Sequence, residues 1–177
     1  MADDRDPERT EDGRWIVVDG RRWRATDPSI PAPLRSELVD ELMSARRAVG
    51  AARRSRDPEA ETAARRRVHL AKLALGERGA PWWEPTTEDR RDERLEATVL
   101  TLAAHRAPDR TICPSDVARA AGGSGWRSLM EPVRDVVRDL ARAGRVEVTQ
   151  KGRALDPSTT WKGPVRIRAT TAAGDGG

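Results

Sequence analysis

The chain has 177 residues, of which 37% are hydrophobic and 35% are charged, and its 33 basic and 29 acidic side chains leave a net charge of only +4. No apolar run approaches the roughly 20 residues of a membrane-spanning helix, the single cysteine excludes an intramolecular disulfide, and the acidic N-terminus lacks the apolar segment of a signal peptide. We therefore expect a cytoplasmic protein with no membrane association, no cofactor and no bound metal.

The N-terminal region begins with a charged segment and continues into a hairpin. Residues 1–12 contain six acidic and two basic side chains and show no apolar periodicity, which predicts a disordered acidic tail. The dipeptide Asp19-Gly20 lies between two β-prone runs, and this pattern is typical of a two-residue β-hairpin.

Two helices are predicted after the hairpin. Apolar residues recur at helical spacing from about 32 to 54, and a second helix begins after Asp57, which suits the N-cap, with Pro58 at the first helical position. The apolar stripes comprise Leu34, Leu38, Leu42, Ala45 and Val49 in the first helix and Ala64, Val68, Ala71 and Leu75 in the second. Because the link between them is short, we expect an antiparallel helical hairpin.

Trp82 and Trp83 follow this helical pair and lie between two prolines, so this segment is not helical. We expect one or both indoles to close the helical pair against the β-hairpin. The alternative is an exposed aromatic platform for a ligand, since tryptophan is rarely left in water without a function.

The C-terminal part has the pattern of three helices and a hairpin. A helix is predicted from about 92 to 107, a short one begins at Pro114, and a third extends from near Trp126 to just before Gly144. Two or three short strands follow between residues 145 and 168. This order is that of a winged helix-turn-helix, whose third helix reads a DNA groove.

The composition favours two small cores joined by a polar segment. The predicted domains are residues 13–86, a β-hairpin with a helical hairpin, and residues 93–168, a winged helix-turn-helix. Residues 87–92 are interpreted as the linker and residues 169–177 as a disordered tail. The fold class is therefore mainly α with small β.

Two resemblances accompany these predictions. The motifs ICPSDVARAAGG, WRSLMEPVR, LARAGRVEVTQKGR and GPVRIR resemble a bacterial family of domains of unknown function, which implies a winged-helix fold for about residues 93–168. The motifs WIVVDGRRWR and PWWEP resemble a small actinobacterial family, some members of which are labelled biopolymer transporter Tol. Neither resemblance implies an activity, a cofactor or a catalytic residue.

The best candidate site is basic. Arg127, Arg134 and Arg138 lie within a narrow sector of the predicted third helix, and Lys151 and Arg153 lie at the tip of the predicted hairpin. Arginine suits phosphates and guanine edges because its planar fork donates two parallel hydrogen bonds. The sequence therefore predicts a non-enzymatic protein that contacts double-stranded DNA or another nucleic acid through these five side chains.

The alternative is a solvated helix face, because an acid lies three residues before three of the four arginines of this helix. Each such pair would stabilise the helix by about 0.2–0.5 kcal/mol and would partly neutralise its charge. The predicted pairs are Glu131–Arg134, Asp135–Arg138 and Asp139–Arg142. In this alternative the protein is an adaptor whose winged helix contacts a protein partner.

Catalytic patterns are not evident. The sequence has no P-loop, no dinucleotide-binding glycine pattern and no Ser/His/Asp arrangement. Cys113 lies beside a predicted helix N-terminus, where the helix dipole favours a thiolate, but the sequence offers no second cysteine, so we expect the thiol to pack or cap locally. We therefore expect a protein that is not an enzyme.

Overall fold

The computed structural model describes residues 8–170 and is mainly helical with two small antiparallel sheets, as the sequence predicts. The helices are α1 (Ala32–Ser55), α2 (Pro58–Ala74), α3 (Glu88–Arg106), α4 (Pro114–Gly122) and α5 (Met130–Arg142), with a 3₁₀ helix (Gly123–Leu129) between α4 and α5. The strands are β1 (Glu8–Arg9), β2 (Trp15–Val18), β3 (Arg21–Arg24), β4 (Val146–Gln150), β5 (Arg153–Ala154) and β6 (Arg166–Ala169). Within residues 8–170, no helix combines the length and the apolar character needed to cross a membrane.

The predicted N-terminal hairpin is confirmed. Asp19 and Gly20 have φ values of 50° and 73°. The pairing of β2 with β3 extends to Val18 and Arg21, which flank this turn. Both central residues of a type I′ turn need a positive φ, which Asp-Gly tolerates.

The predicted disordered tail is too long, because Glu8 on β1 pairs with Val17 on β2. Residues 1–7 of that tail lie outside the described residues.

The helical hairpin matches the predicted bounds closely. The side chain of Asp57 accepts a hydrogen bond of 2.9 Å from the backbone N–H of Ala60, and Pro58 is the first residue of α2. The side chain therefore satisfies one of the free donors at the helix start, and the proline has no donor that needs a partner. α1 ends where Arg56 turns into the left-handed conformation.

The predicted linker at 87–92 is wrong, because α3 begins at Glu88. The side chain of Thr87 accepts from the backbone N–H of Arg90, and Glu88 and Asp89 lie in the first turn. Acids in this position complement the positive end of the helix dipole. The polar composition that indicates a linker is here the composition of a capped, half-exposed helix start.

The predicted third C-terminal helix begins as a different structure. The 3₁₀ helix occupies its first turn, from Trp126 to Leu129, and α5 starts only at Met130. Glycines are poor helix formers, and Gly122, Gly123 and Gly125 all precede this junction. Pro132 lies in the first turn of α5, where its missing N–H costs no helical hydrogen bond.

The C-terminal sheet has the order β5-β4-β6. Lys151 and Gly152 form its hairpin turn with φ values of 50° and 77°. The segment before α4 also joins this sheet, because Ile112 and Ile167 exchange backbone hydrogen bonds of 2.9 and 2.8 Å. The apolar face of the sheet, which includes Val148, is buried.

One hydrophobic core runs through the described residues instead of the two small cores that we expect from composition. Side chains from both predicted domains belong to one continuous buried cluster, among them Leu38, Leu75, Leu95, Leu102, Val137 and Ile167. Because the helical hairpin of α1 and α2 presents apolar side chains that it cannot cover alone, α3 packs against both helices. Arg94 on α3 also forms an ion pair of 2.7 Å with the buried Asp27.

The two tryptophans after α2 close this arrangement, as predicted. The indole N–H of Trp82 donates to the carbonyl of Ala25 at 3.0 Å. Trp83 contacts both Trp82 and Trp15 edge to face, with ring centres 5.0 and 5.7 Å apart. These geometries are favourable for aromatic pairs. Through Trp15 on β2, they join the N-terminal sheet to the segment that follows α2.

Candidate nucleic-acid interface

Lys151 and Arg153 lie together at the tip of the C-terminal hairpin. Arg153 pairs with Gln150 across β4 and β5, and Lys151 is in the turn between these strands. Both side chains are exposed, and among residues 8–170 neither has an ion-pair partner. The hairpin therefore presents two free positive charges to solvent.

Arg127 lies on the 3₁₀ helix and not on α5. Its guanidinium carbon lies 4.7 Å from the centre of the Trp126 ring, and the guanidinium of Arg119 on α4 lies at the same distance from that ring. Such stacking favours a fixed side-chain orientation. Both arginines are exposed, and within the described chain no acid pairs with either.

Arg134 holds the loop between β5 and β6. Its two terminal nitrogens donate to the carbonyls of Trp161 at 3.3 Å and of Gly163 at 2.7 Å. Gln150 supports the same loop, since its amide donates to the carbonyls of Lys162 and Pro164. The ion pair with Glu131 that the spacing predicts is not formed, so the charge of Arg134 is directed at backbone carbonyls.

Arg138 is also engaged within the protein. It donates to Asp135 at 2.8 Å, as the spacing predicts, and its guanidinium carbon lies 5.5 Å from the centre of the Trp161 ring. Trp161 is only 7% exposed, and its indole N–H donates to the carbonyl of Asp156. Arg138 therefore covers the indole that anchors the loop.

The five predicted contact residues thus fall into two groups. Arg127, Lys151 and Arg153 are exposed cations, whereas Arg134 and Arg138 brace the loop that follows the hairpin. The placement of the three arginines on one helix face is wrong, because the helix starts after Arg127.

Two further cations extend the basic surface of the hairpin. Lys162 in the loop and Arg166 on β6 are exposed, and in the described residues neither forms an ion pair. Arg168 differs, because it pairs with Glu147 on β4 at 2.8 Å. The contribution of Arg119 could not be predicted from the sequence. Its partner Trp126 lies on the 3₁₀ helix beyond the glycine-rich end of α4, so no helical spacing relates the two residues.

A half-buried ion network lies at the junction of α1, α3 and α4. Arg106 donates to both carboxylate oxygens of Glu37, at 2.7 and 2.9 Å, and to Asp116 at 2.8 Å. The Arg106 hydrogen bond lowers the pKa of Glu37. Burial would raise the pKa of Asp116, but hydrogen bonds from the Cys113 backbone and from Arg106 outweigh it and lower that pKa.

Cys113 takes part in capping α4. Its thiol lies 2.9 Å from the hydroxyl of Ser115, and its backbone N–H donates to the carboxylate of Asp116. These contacts are those of a capping box, in which the third helical residue reaches back to the N-cap. In residues 8–170, no three His, Cys, Asp or Glu side chains are grouped so that they could hold a metal ion.

Comparison with known proteins finds a similarity for the C-terminal part of the chain. Residues 92–170 match the model of a family described as protein of unknown function (DUF3253). The expected domain of unknown function is therefore confirmed for this part of the chain, which spans most of α3 through β6. The N-terminal resemblance is untested by this match and stays a prediction. No curated protein shows significant similarity to the chain.

Proposed function

We propose that residues 92–170 form a winged helix-turn-helix that binds double-stranded DNA, and that the protein acts without enzymatic activity. The order of α3, α4 and α5 followed by a β-hairpin supports this assignment, because winged-helix domains have the same order. The backbone pairing of Ile112 with Ile167 adds support, since it joins the segment between the first two helices of this unit to the hairpin sheet.

The observation that carries the proposal is the set of exposed cations on the 3₁₀ helix and the hairpin that form no ion pair within the described residues. Arg127 precedes α5, and two cations follow it, Lys151 in the turn between β4 and β5 and Arg153 on β5. Affinity for DNA depends on cations that replace condensed counterions at the phosphates. Cations that already pair with acids contribute less, so these three side chains are the strongest phosphate ligands among the predicted residues.

Arg134 and Arg138 have a supporting role in this proposal. By binding Trp161 and Gly163, they hold the loop that follows the hairpin against α5, and Gln150 of β4 is hydrogen-bonded to the same loop. A preorganised hairpin loses less conformational entropy when it meets DNA. The helix α5 also carries exposed acids, and we therefore propose mainly backbone contacts with little direct base readout.

Fluorescence anisotropy tests this proposal with the full-length chain and a mixed-sequence duplex between about 50 and 200 mM salt. The double variant Lys151→Glu/Arg153→Glu is the test. Its control is Arg46→Glu/Arg47→Glu, which makes the same charge change at exposed positions on α1. We expect the control to bind like the unmodified chain and the test variant to bind at least about tenfold more weakly, since each phosphate contact contributes to the salt-dependent affinity.

The second candidate is an adaptor that contacts a protein through the winged helix. The ion pairs Arg138–Asp135 and Arg142–Asp139 favour it, because they reduce the free positive charge on α5. If the unmodified chain does not bind the duplex at the lowest salt concentration, the DNA proposal fails and the adaptor is preferred. If both double variants weaken binding equally, the effect is one of net charge and not of the hairpin.

A further inference from the structure

A cavity of about 310 Å³ lies where the segment after α2 meets the start of α3 and the end of α4. This volume is at the lower end of the range for small-molecule sites, which is about 300–1,000 Å³. None of the five predicted DNA-contact residues lines it. The cavity therefore uses a different set of side chains, although Gly125, Ser128 and Leu129 of the 3₁₀ helix that carries Arg127 line it.

The cavity has an apolar part that suits a ring. It is lined by the buried Leu73 and Leu95, by the half-buried Leu129 and by Trp82. The indole of Trp82 is held in place, because its N–H donates to the carbonyl of Ala25. Apolar surface with a few polar groups at its edge is the usual composition of a ligand site.

The walls of this apolar part are closely packed against backbone. A Cβ atom added to Gly79 would lie 2.8 Å from a methyl group of Leu73, and one added to Gly122 would lie 2.6 Å from a methyl group of Leu129. Both glycines line the cavity. Larger residues there would displace the two leucines, so the shape of the cavity depends on these glycines.

Arginine is the prevailing charged residue around the cavity, which is lined by Arg78, Arg90, Arg91, Arg94, Glu84 and Glu93. Three of the four arginines are paired with acids. Arg90 pairs with Glu93, Arg91 with Asp92 and Arg94 with Asp27.

Arg78 is different, because its hydrogen-bond partner is an imidazole. One terminal nitrogen of Arg78 lies 2.8 Å from Nδ1 of His69. Since a guanidinium can only donate, Nδ1 accepts and carries no proton in this contact. Among the described residues, no carboxylate pairs with Arg78. Its side chain is exposed, so its positive charge is available at the cavity edge.

We propose that this cavity binds a small aromatic carboxylate. The ring would pack against Trp82 and the leucines, and the carboxylate would accept hydrogen bonds from Arg78. A planar guanidinium matches a carboxylate better than any other side chain does. The proposal does not rest on DNA binding.

NMR amide spectra of the isotope-labelled full-length chain test the proposal, with naphthoate as the probe. Gly79, Gly122 and Gly125 line the cavity and report on binding, while Gly20 and Gly152 lie in the hairpin turns and serve as internal controls. We expect saturable shifts of the first three signals only. Naphthylmethylammonium has the same ring with the opposite charge, and we expect no saturable shift with it.

Two variants make the test specific. Arg78→Gln should weaken naphthoate binding about tenfold, because a hydrogen bond to a charged group is lost, whereas Arg54→Gln, at an exposed arginine on α1, should leave it unchanged. Gly122→Ala should also weaken binding, since a Cβ there would lie 2.6 Å from a methyl group of Leu129 and displace this wall of the cavity. The control Ser124→Ala changes an exposed neighbour that does not line the cavity.

Three results would overturn the proposal. They are the absence of saturable shifts with naphthoate, equal binding of the cationic analogue, and unchanged affinity in Arg78→Gln. Shifts confined to the hairpin turns would also contradict it, because they would place the anion at Lys151 and Arg153 instead.

Discussion

Arg106 shows how a single side chain determines the arrangement of three helices. It is about 14% exposed, and its guanidinium contacts Glu37 on α1, Asp116 on α4 and the carbonyl of Thr111. These partners satisfy the donors of a charge that has been largely removed from water. Both acids have pKa values below their usual range, and their ionised forms are therefore stabilised by folding.

This network makes stability depend on pH. Because the folded-state pKa values of Glu37 and Asp116 are lowered, their contribution is present above the unfolded values of 4.5 and 3.8 and is lost as pH falls through the lowered values. We expect the variant Glu37→Gln/Asp116→Asn to be less stable than the unmodified chain at neutral pH and to lose less stability on acidification. Urea unfolding across this pH range measures both effects.

The control for this measurement is Asp40→Asn, an exposed acid well inside α1 that is outside the network. It should follow the unmodified chain at every pH. If the double variant lost as much stability as the unmodified chain on acidification, the acid sensitivity would come from other carboxylates.

At the scale of elements, local signals are the ones that predict the fold correctly. The Asp19-Gly20 turn, the Asp57 cap and the Pro114 helix start each depend on a few adjacent residues. The predicted start of the third C-terminal helix is wrong because the apolar stripe continues through a 3₁₀ helix. The start of α3 at Glu88 is missed because a polar helix start has the composition of a linker.

The site shows the same limit. The turn at Lys151 predicts the exposed cations of the hairpin, since side chains at such a tip have little protein around them. The role of Arg134 and the contact of Arg138 with Trp161 could not be predicted, because these partners lie far along the chain. Arg134 contacts carbonyls 27 and 29 residues away, and backbone acceptors leave no pattern in the sequence.

The loop between β5 and β6 should loosen when Arg134 is replaced. We expect Arg134→Met to destabilise the protein by about 1 kcal/mol, since two hydrogen bonds to carbonyls are lost and one of them is exposed. Amide hydrogen exchange should increase between residues 156 and 165. The control Arg142→Met removes only the exposed pair with Asp139 and should have little effect. Equal exchange in both variants would show that Arg134 does not hold the loop.

At the scale of the whole molecule, the continuous core predicts that the two halves of the described chain unfold together. Leu38 on α1 is fully buried in the same cluster as Val137 on α5. We expect Leu38→Ala to lower the free energy of unfolding by about 2–5 kcal/mol. Protection of the α5 amides against hydrogen exchange should fall by the same amount as protection of α1. Unchanged protection in α5 would indicate two independent domains.

The shared core also bears on function, because it connects the family-matched part of the chain to the hairpin and helices that precede it. α3 packs on α1 and α2 on one side and on α4 and α5 on the other. The sheet that carries the cations of the hairpin thus contacts α3 through β6, and residues of α3 line the proposed carboxylate cavity. A fragment limited to residues 92–170 would lack the covering side chains of α1 and α2, so the full-length chain is the proper material for binding experiments.

The most direct test of the proposed function is the salt dependence of duplex binding measured by fluorescence anisotropy. We predict that affinity falls as salt rises, and that Lys151→Glu/Arg153→Glu reduces both the affinity and the steepness of that dependence, while Arg46→Glu/Arg47→Glu leaves both unchanged. A chain that does not bind the duplex at about 50 mM salt, where counterion release favours binding strongly, would contradict the DNA-binding proposal.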